Sequence, residues 1–141
     1  MYKFSNRSLN NLKGVHPNLQ SFFNELIKIT PYDFVITHGV RTAEEQNKLY
    51  QQGRTTPGIT VTGLDGYKRI SKHQIQADGL GHANDIAVLI NNEISWQEKY
   101  YEKIAEIAEP LMEKYNIKWG GTFKDSKGNP KPDRPHFQIE K

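Results

Sequence analysis

Two histidines and an aspartate are the residues of this sequence best suited to chemistry. His73 stands in Ser71-Lys72-His73-Gln74, Asp85 in Gly81-His82-Ala83-Asn84-Asp85-Ile86, and His136 in Pro132-Asp133-Arg134-Pro135-His136-Phe137. Two imidazoles and one carboxylate form a three-ligand set for zinc. Catalytic zinc sites leave the fourth position to water, whereas structural sites close it. The sequence contains no cysteine, which excludes disulfides, thiolate zinc sites and thiol nucleophiles. If the three residues converge, they hold one Zn2+ ion, and the expected chemistry is metal-assisted hydrolysis.

Two further residues extend that chemistry. Asp133 precedes His136 by three positions, so one side chain can ligate while the other addresses the attacking water. A carboxylate so placed can take the proton of that water and pass it to a leaving amine. Arg41 follows Gly39-Val40 at the end of a strand and directly precedes a capped helix. Its planar fork suits a substrate carboxylate or the oxyanion of a tetrahedral intermediate. Three other histidines compete for attention. His82 lies three residues from Asp85, but strand alternation points it to the opposite face. His38, near Arg41, is expected to be structural with some reach toward substrate, and His16 is expected to open a helix before Pro17.

The elements that must position these residues follow from hydrophobic spacing. Pro17 to Thr30 reads as a helix, because Leu19, Phe22, Phe23, Leu26 and Ile27 make one apolar stripe. Asp33 to Thr37 reads as a strand. Thr42 and Glu45 form a capping-box pattern opening a helix that ends before Gly53. Residues 54–81 form a long loop, which in a compact domain is usually functional. Ala83 to Leu89 reads as a strand in which Ala83, Asp85 and Ala87 share a face, with small neighbours leaving room beside the carboxylate. Ser95 and Glu98 repeat the capping-box pattern ahead of a helix carrying Ile104, Ile107, Ala108, Leu111, Met112 and Tyr115, with Pro110 expected to kink it. Ile117 to Trp119 reads as a short strand, residues 124–135 as a loop, and His136 to Glu140 as a closing strand. The expected fold is α+β, a small antiparallel sheet with helices packed on one face.

Composition bounds the remaining classes. A chain of 141 residues is read as one domain, 1–141, large enough for a real core. The net charge of +3 favours anionic partners only weakly. No aromatic–basic platform argues for nucleic acid, and no apolar run is long enough for membrane insertion. Met1 to Arg7 lacks the apolar core of a secretory signal, so the chain is expected in the host cytoplasm until released. A monomer is expected.

Four blocks, spanning nearly the whole chain, carry a family resemblance. They are Ser8-Leu9…Leu12…Gly14-Val15-His16-Pro17…Leu19; Gly39-Val40-Arg41-Thr42…Glu45-Gln46…Leu49-Tyr50…Gly53; Ser71…His73 with Gly81…Ala83…Asp85-Ile86; and Trp119-Gly120-Gly121 with Asp133…Pro135-His136-Phe137. Their combination resembles the LAS-type zinc peptidases of bacterial cell walls. That family groups D-alanyl-D-alanine carboxypeptidases with phage L-alanyl-D-glutamate endopeptidases and shares its fold with Hedgehog signalling domains. The resemblance implies a Hedgehog-like fold and zinc ligands His73, Asp85 and His136. It implies Asp133 as general base and Arg41 as the group that holds substrate or stabilises the transition state. Ser71 would be a supporting or substrate contact.

The implied substrate is the peptidoglycan stem peptide. The first block favours a phage or prophage endolysin cutting the L-alanyl-D-glutamate bond, released through holin pores. Alternatives are a D-alanyl-D-alanine carboxypeptidase or dipeptidase, and a zinc-containing wall- or partner-binding module without turnover. One departure stands out. The family's usual spacing would place the aspartate at Leu80, which cannot ligate; Asp85 arrives twelve residues after His73. A loop lengthened by Ile75-Gln76-Ala77-Asp78-Gly79 accounts for this, with Asp78 as the competing ligand.

Overall fold

The computed structural model describes residues 2–140. Helix α1 (Asn6–Leu12) leads into α2 (Pro17–Ile29), then strand β1 (Asp33–His38) and helix α3 (Ala43–Gln51). After the long loop come β2 (Ala83–Ile90), β3 (Glu93–Ser95), α4 (Glu98–Tyr115) and β4 (Ile117–Trp119). A 3-10 turn over Gly120–Thr122 and a second loop precede β5 (His136–Ile139). All strand pairs are antiparallel, in the order β1-β2-β5-β4. The longest strand, β2, pairs with β1 along one edge; β5 and β3 share its other edge, at Ala83–Asp85 and Val88–Ile90.

The sheet has one apolar and one polar face because its strands alternate. Phe34 and Ile36 of β1, Ile86 and Val88 of β2, and Phe137 and Ile139 of β5 are all buried in one core with Phe22, Phe23 and Leu26 of α2 and Ile104 and Ala108 of α4. The rings of Phe22 and Phe23 lie 5.6 and 5.7 Å from that of Phe137, within the range for favourable tilted and edge contacts. The alternate residues Asp85, His136 and Gln138 belong to the opposite face. The expected α+β architecture is therefore the observed one, and the stripe read for α2 is buried throughout.

Two local features differ from the expectations. Helix α1 has no apolar stripe and was not foreseen. Its side chains serve the sheet edge instead: Ser8 Oγ accepts from Ile36 N at 2.9 Å, and Asn11 Nδ2 donates to Ile36 O at 2.8 Å. This caps an edge strand that would otherwise expose its backbone. The second capping box does not form. Ser95 lies in β3, paired with Val88, and α4 starts from Gln97 with no side-chain cap. The hydroxyl of Tyr101 accepts from Val88 N at 3.0 Å and donates to Ser95 O at 2.8 Å, so strand pairing outcompetes the cap. Helix α4 itself runs through Pro110, which lies on its exposed side. The carbonyl that Pro110 leaves without its helical partner belongs to the exposed Glu106.

Two stability changes follow. Phe137→Ala should destabilise by about 3–5 kcal/mol, since it leaves a cavity beside the packed rings of Phe22 and Phe23. Pro110→Ala should stabilise by about 1–3 kcal/mol, restoring one helical bond at a solvent-facing site. Urea midpoints at constant slope measure both.

Candidate functional site

The polar face of the sheet gathers charge around one strand position. In the antiparallel ladder Asp85 of β2 stands opposite His136 of β5 on one side and His38 of β1 on the other. The second pairing depends on a β-bulge. Partners run in step from Asp33–Leu89 to Ile36–Ile86, then skip Thr37, so that His38 rather than Thr37 faces Asp85. Bulges re-aim side chains in this way. His73 reaches the same point from the long loop.

The resulting trio is tight. His73 Nε2 lies 3.3 Å from Asp85 Oδ2, and His136 Nδ1 lies 3.0 Å from Asp85 Oδ1. His73, Asp85 and His136 each offer one atom, all within 4.8 Å of one another, and could hold a metal ion. Each imidazole has its far nitrogen anchored. His73 Nδ1 donates to Gly39 O at 2.9 Å, and His136 Nε2 donates to Gln138 Oε1 at 2.8 Å. Metal-ligating histidines show this pattern, which fixes the ring and turns the other nitrogen inward. Gly39 is required for the approach: a Cβ there would sit 2.0 Å from Asn11 O.

The electrostatics match the geometry. Burial alone would raise the Asp85 carboxyl, but hydrogen bonds from His136 and His73 outweigh it and hold Asp85 far below the usual carboxylate range. His136 is raised: burial opposes its charged form, but the Asp85 carboxylate more than compensates. Asp133 is also raised, first by burial and then by the neighbouring negative charge of Asp85. Its Oδ2 lies 3.9 Å from His136 Nδ1. The backbone brings it there, because Asp133 N donates to Gly120 O at 2.8 Å and His136 N donates to Asp133 O at 3.1 Å. Gly120 permits this contact, since a Cβ would meet Asp133 O at 2.2 Å.

Arg41 lies within the same cleft, its Nη2 3.9 Å from Asp85 Oδ2 and its Nη1 donating to Gln46 Oε1 at 2.8 Å. Its backbone N–H donates to His73 O at 2.8 Å. Gln46, the one buried residue of α3, also donates to Leu64 O at 2.9 Å and Thr62 Oγ1 at 3.3 Å. It therefore ties Arg41 to the long loop. The capping box that starts α3 is present, with Glu45 N donating to Thr42 Oγ1 and Thr42 N to Glu45 Oε1. Ser71 is buried, and its Oγ accepts from His73 N at 3.1 Å, which holds the turn that presents His73. These residues line a cleft of about 400 Å³ that also includes His38, Leu49, Val61, Leu64, Lys72 and Phe123.

The other candidates lie elsewhere. Asp78 Oδ2 accepts from His82 Nε2 at 2.8 Å, and His82 stacks edge-on against His16, away from the trio. The segment around Asp78 closes as a tight turn, Gly79 N donating to Gln76 O and Gln76 N to Leu80 O, each at 2.9 Å. Thus the extra residues before Asp85 are looped out between the bridged Ile75 and Gly81. His16 caps α2, its Nδ1 accepting from Asn18 N. Two cleft residues were undervalued in the sequence. The aim of His38 depends on a bulge that leaves no local signal. A glutamine in a polar helix gives no hint that Gln46 is buried.

The chain is 29% identical over 107 residues to the peptidoglycan L-alanyl-D-glutamate endopeptidase CwlK of Bacillus subtilis (strain 168), covering 76% of this chain and 60% of that protein. It is 32% identical over 97 residues to the L-alanyl-D-glutamate peptidase of Escherichia phage T5, covering 69% of this chain and 61% of that protein. The chain thus spans about three-fifths of the length of these relatives. The crystal structure of the Serratia marcescens L-Ala D-Glu endopeptidase ChiX superposes with a TM-score of 0.69 at 25% identity, over 98% of this chain and 90% of that one. A family model described as phage L-alanyl-D-glutamate peptidase matches residues 1–138, and the chain belongs to that family.

Proposed function

We propose that this chain is a zinc-dependent peptidase that hydrolyses the L-alanyl-D-glutamate bond of peptidoglycan stem peptides. The observation that carries this reading is the His73–Asp85–His136 trio, its ligand atoms within 4.8 Å of one another and its outer nitrogens anchored. The donor set fits zinc: two imidazoles with inward-facing nitrogens and one ionised carboxylate, with no more than three protein ligands. Bound there, zinc would act as a Lewis acid and make water a usable nucleophile near neutral pH.

The chain's own residues would supply the rest. Asp133 would accept the proton of the attacking water at a carboxylate oxygen and return it to the amine of the departing D-glutamyl residue. Its Oδ2 lies 3.9 Å from His136 Nδ1, beside the ligand atoms, which puts a base within reach of the attacking water. Arg41 would stabilise the oxygen that gains charge as the scissile carbonyl becomes tetrahedral. Gln46 would hold the guanidinium in place for this, and Ser71, in the cleft wall, would keep His73 aimed at the site. The proposed setting is that of a phage or prophage endolysin released through holin pores, in line with the family's phage peptidases.

Digestion of purified murein tests the bond assignment. New N-terminal D-glutamate supports it, whereas released D-alanine would point to a carboxypeptidase, and intact but bound murein to a binding module. Metal analysis separates the roles. Asp85→Ala and His73→Ala should lose zinc and activity together, while Asp78→Ala should keep both. Asp133→Ala should retain zinc with kcat reduced roughly 10²–10⁴-fold. Arg41→Ala should retain zinc and lose about 10²–10³-fold in kcat, and Gln46→Leu should lose a smaller part of it.

A further inference from the structure

Among the residues lining the cleft, the cations are not equally engaged. Arg41 donates to Gln46 and lies near Asp85. Lys72 lines the same cleft and has no ion pair or side-chain hydrogen bond among the described residues. Its backbone is nonetheless well fixed. Lys72 lies between buried Ser71 and buried His73, and its carbonyl accepts from His82 N at 2.8 Å. A lysine rooted this firmly, half-buried in the lining of the cleft and with its ammonium unpaired among the described residues, is a point charge suited to an anion. The arginines that follow α3 and precede β5 are already committed. Arg54 donates to Tyr50 O and Thr62 O and stacks on the Tyr50 ring, and Arg134 pairs with Glu98 and Glu102.

The anion follows from the substrate class, so the inference rests on the reading above. A glutamyl residue has two carboxyl groups, and continuation of a peptide chain uses only one. A free carboxylate therefore remains a few bonds from the scissile nitrogen of any L-alanyl-D-glutamyl bond. The cleft already contains two negative groups, Asp85 and Asp133. A substrate carboxylate entering it needs a cation not spent on the oxygen that becomes negative in the reaction. We propose that Lys72 is the specificity-determining residue that binds the free carboxylate of the D-glutamyl residue, leaving Arg41 for the reacting carbonyl. Two cations would thus serve two distinct anions on either side of the scissile bond.

The division of labour has a direct chemical test. Two synthetic peptides carry the same L-alanyl-D-glutamyl bond continued through one carboxyl. In one the other carboxyl is free; in the second it is an amide. Zinc-loaded wild type should favour the free acid. Lys72→Met, which keeps the apolar stem and removes the charge, should raise KM for the acid roughly ten- to a hundredfold with little change in kcat. It should leave the amide peptide unaffected, and Lys72→Arg should restore most of the preference. Equal losses on both peptides, or no loss on either, would overturn the assignment while leaving the peptidase reading intact. Calorimetric titration of the same two peptides onto the zinc-loaded Asp133→Ala protein provides a readout independent of turnover. A preference for the acid that Lys72→Met abolishes supports the site even if murein is never cut; no preference refutes it.

Discussion

The carboxylate of Asp85 is the constraint around which the structure is arranged. It is an ionised group on the middle strand of the sheet, largely withdrawn from water, and an isolated charge there would cost several kcal/mol. His136 at 3.0 Å and His73 at 3.3 Å offset that cost by hydrogen bonds, with the His38 ring at 3.6 Å and the Arg41 cation at 3.9 Å beside them. Each arrives from a different segment, namely β5, the long loop, the bulged end of β1 and the turn into α3. The same charge that requires these partners also draws them together and sets their ionisation. It holds His136 raised and contributes to the raised Asp133.

The sheet makes this possible by keeping its two faces chemically separate. On the lower face, aromatic and aliphatic residues of β1, β2 and β5 close a core with α2 and α4; its polar groups are bonded, with Asn84 donating to Asn11 O and His38 O and the Tyr101 hydroxyl joining Val88 N and Ser95 O. On the upper face, the same strands carry Asp85, His136 and Gln138. One residue of register separates the two sets, so a slip along β2 would bury the aspartate and expose Ile86. The apolar face thereby locks the register that the site requires. The long loop is fastened by polar buttons rather than by a core: Gln46 to Leu64 and Asn47 to Asp65 tie it to α3, and Gln74 to Gly66 braces it internally. Local strength in such a loop comes from buried amide hydrogen bonds, which are directional and hold specific atoms in place.

Much of this was legible in the chain. The apolar stripe of α2, the Thr42–Glu45 box, the strand around Asp85 and the closing strand at His136 each rest on short-range patterns that tertiary packing reinforces. The features that were missed share a physical cause. Helix α1 has no amphipathic pattern because it is held by Ser8 and Asn11 bonding a strand edge. Ser95 has the sequence of a cap but pairs as a strand, since Tyr101 and β2 satisfy its backbone first. In both cases a partner distant in sequence decided between two locally acceptable conformations.

Residue type and order alone therefore determined which groups could act: two imidazoles and a carboxylate without cysteine, a base three residues before the last histidine, and a cation ahead of a capped helix. These are properties of side-chain chemistry and local spacing, which a linear chain displays directly. Only the tertiary structure decided between Asp78 and Asp85 as the carboxylate nearest the histidines, because the intervening residues fold back as a turn and cancel the extra length. It also decided that His38 faces Asp85, through a one-residue bulge, and that Gln46 is buried against Arg41 while Lys72 has no partner among the described residues. Those outcomes depend on register and on contacts across tens of residues, and no local pattern encodes either.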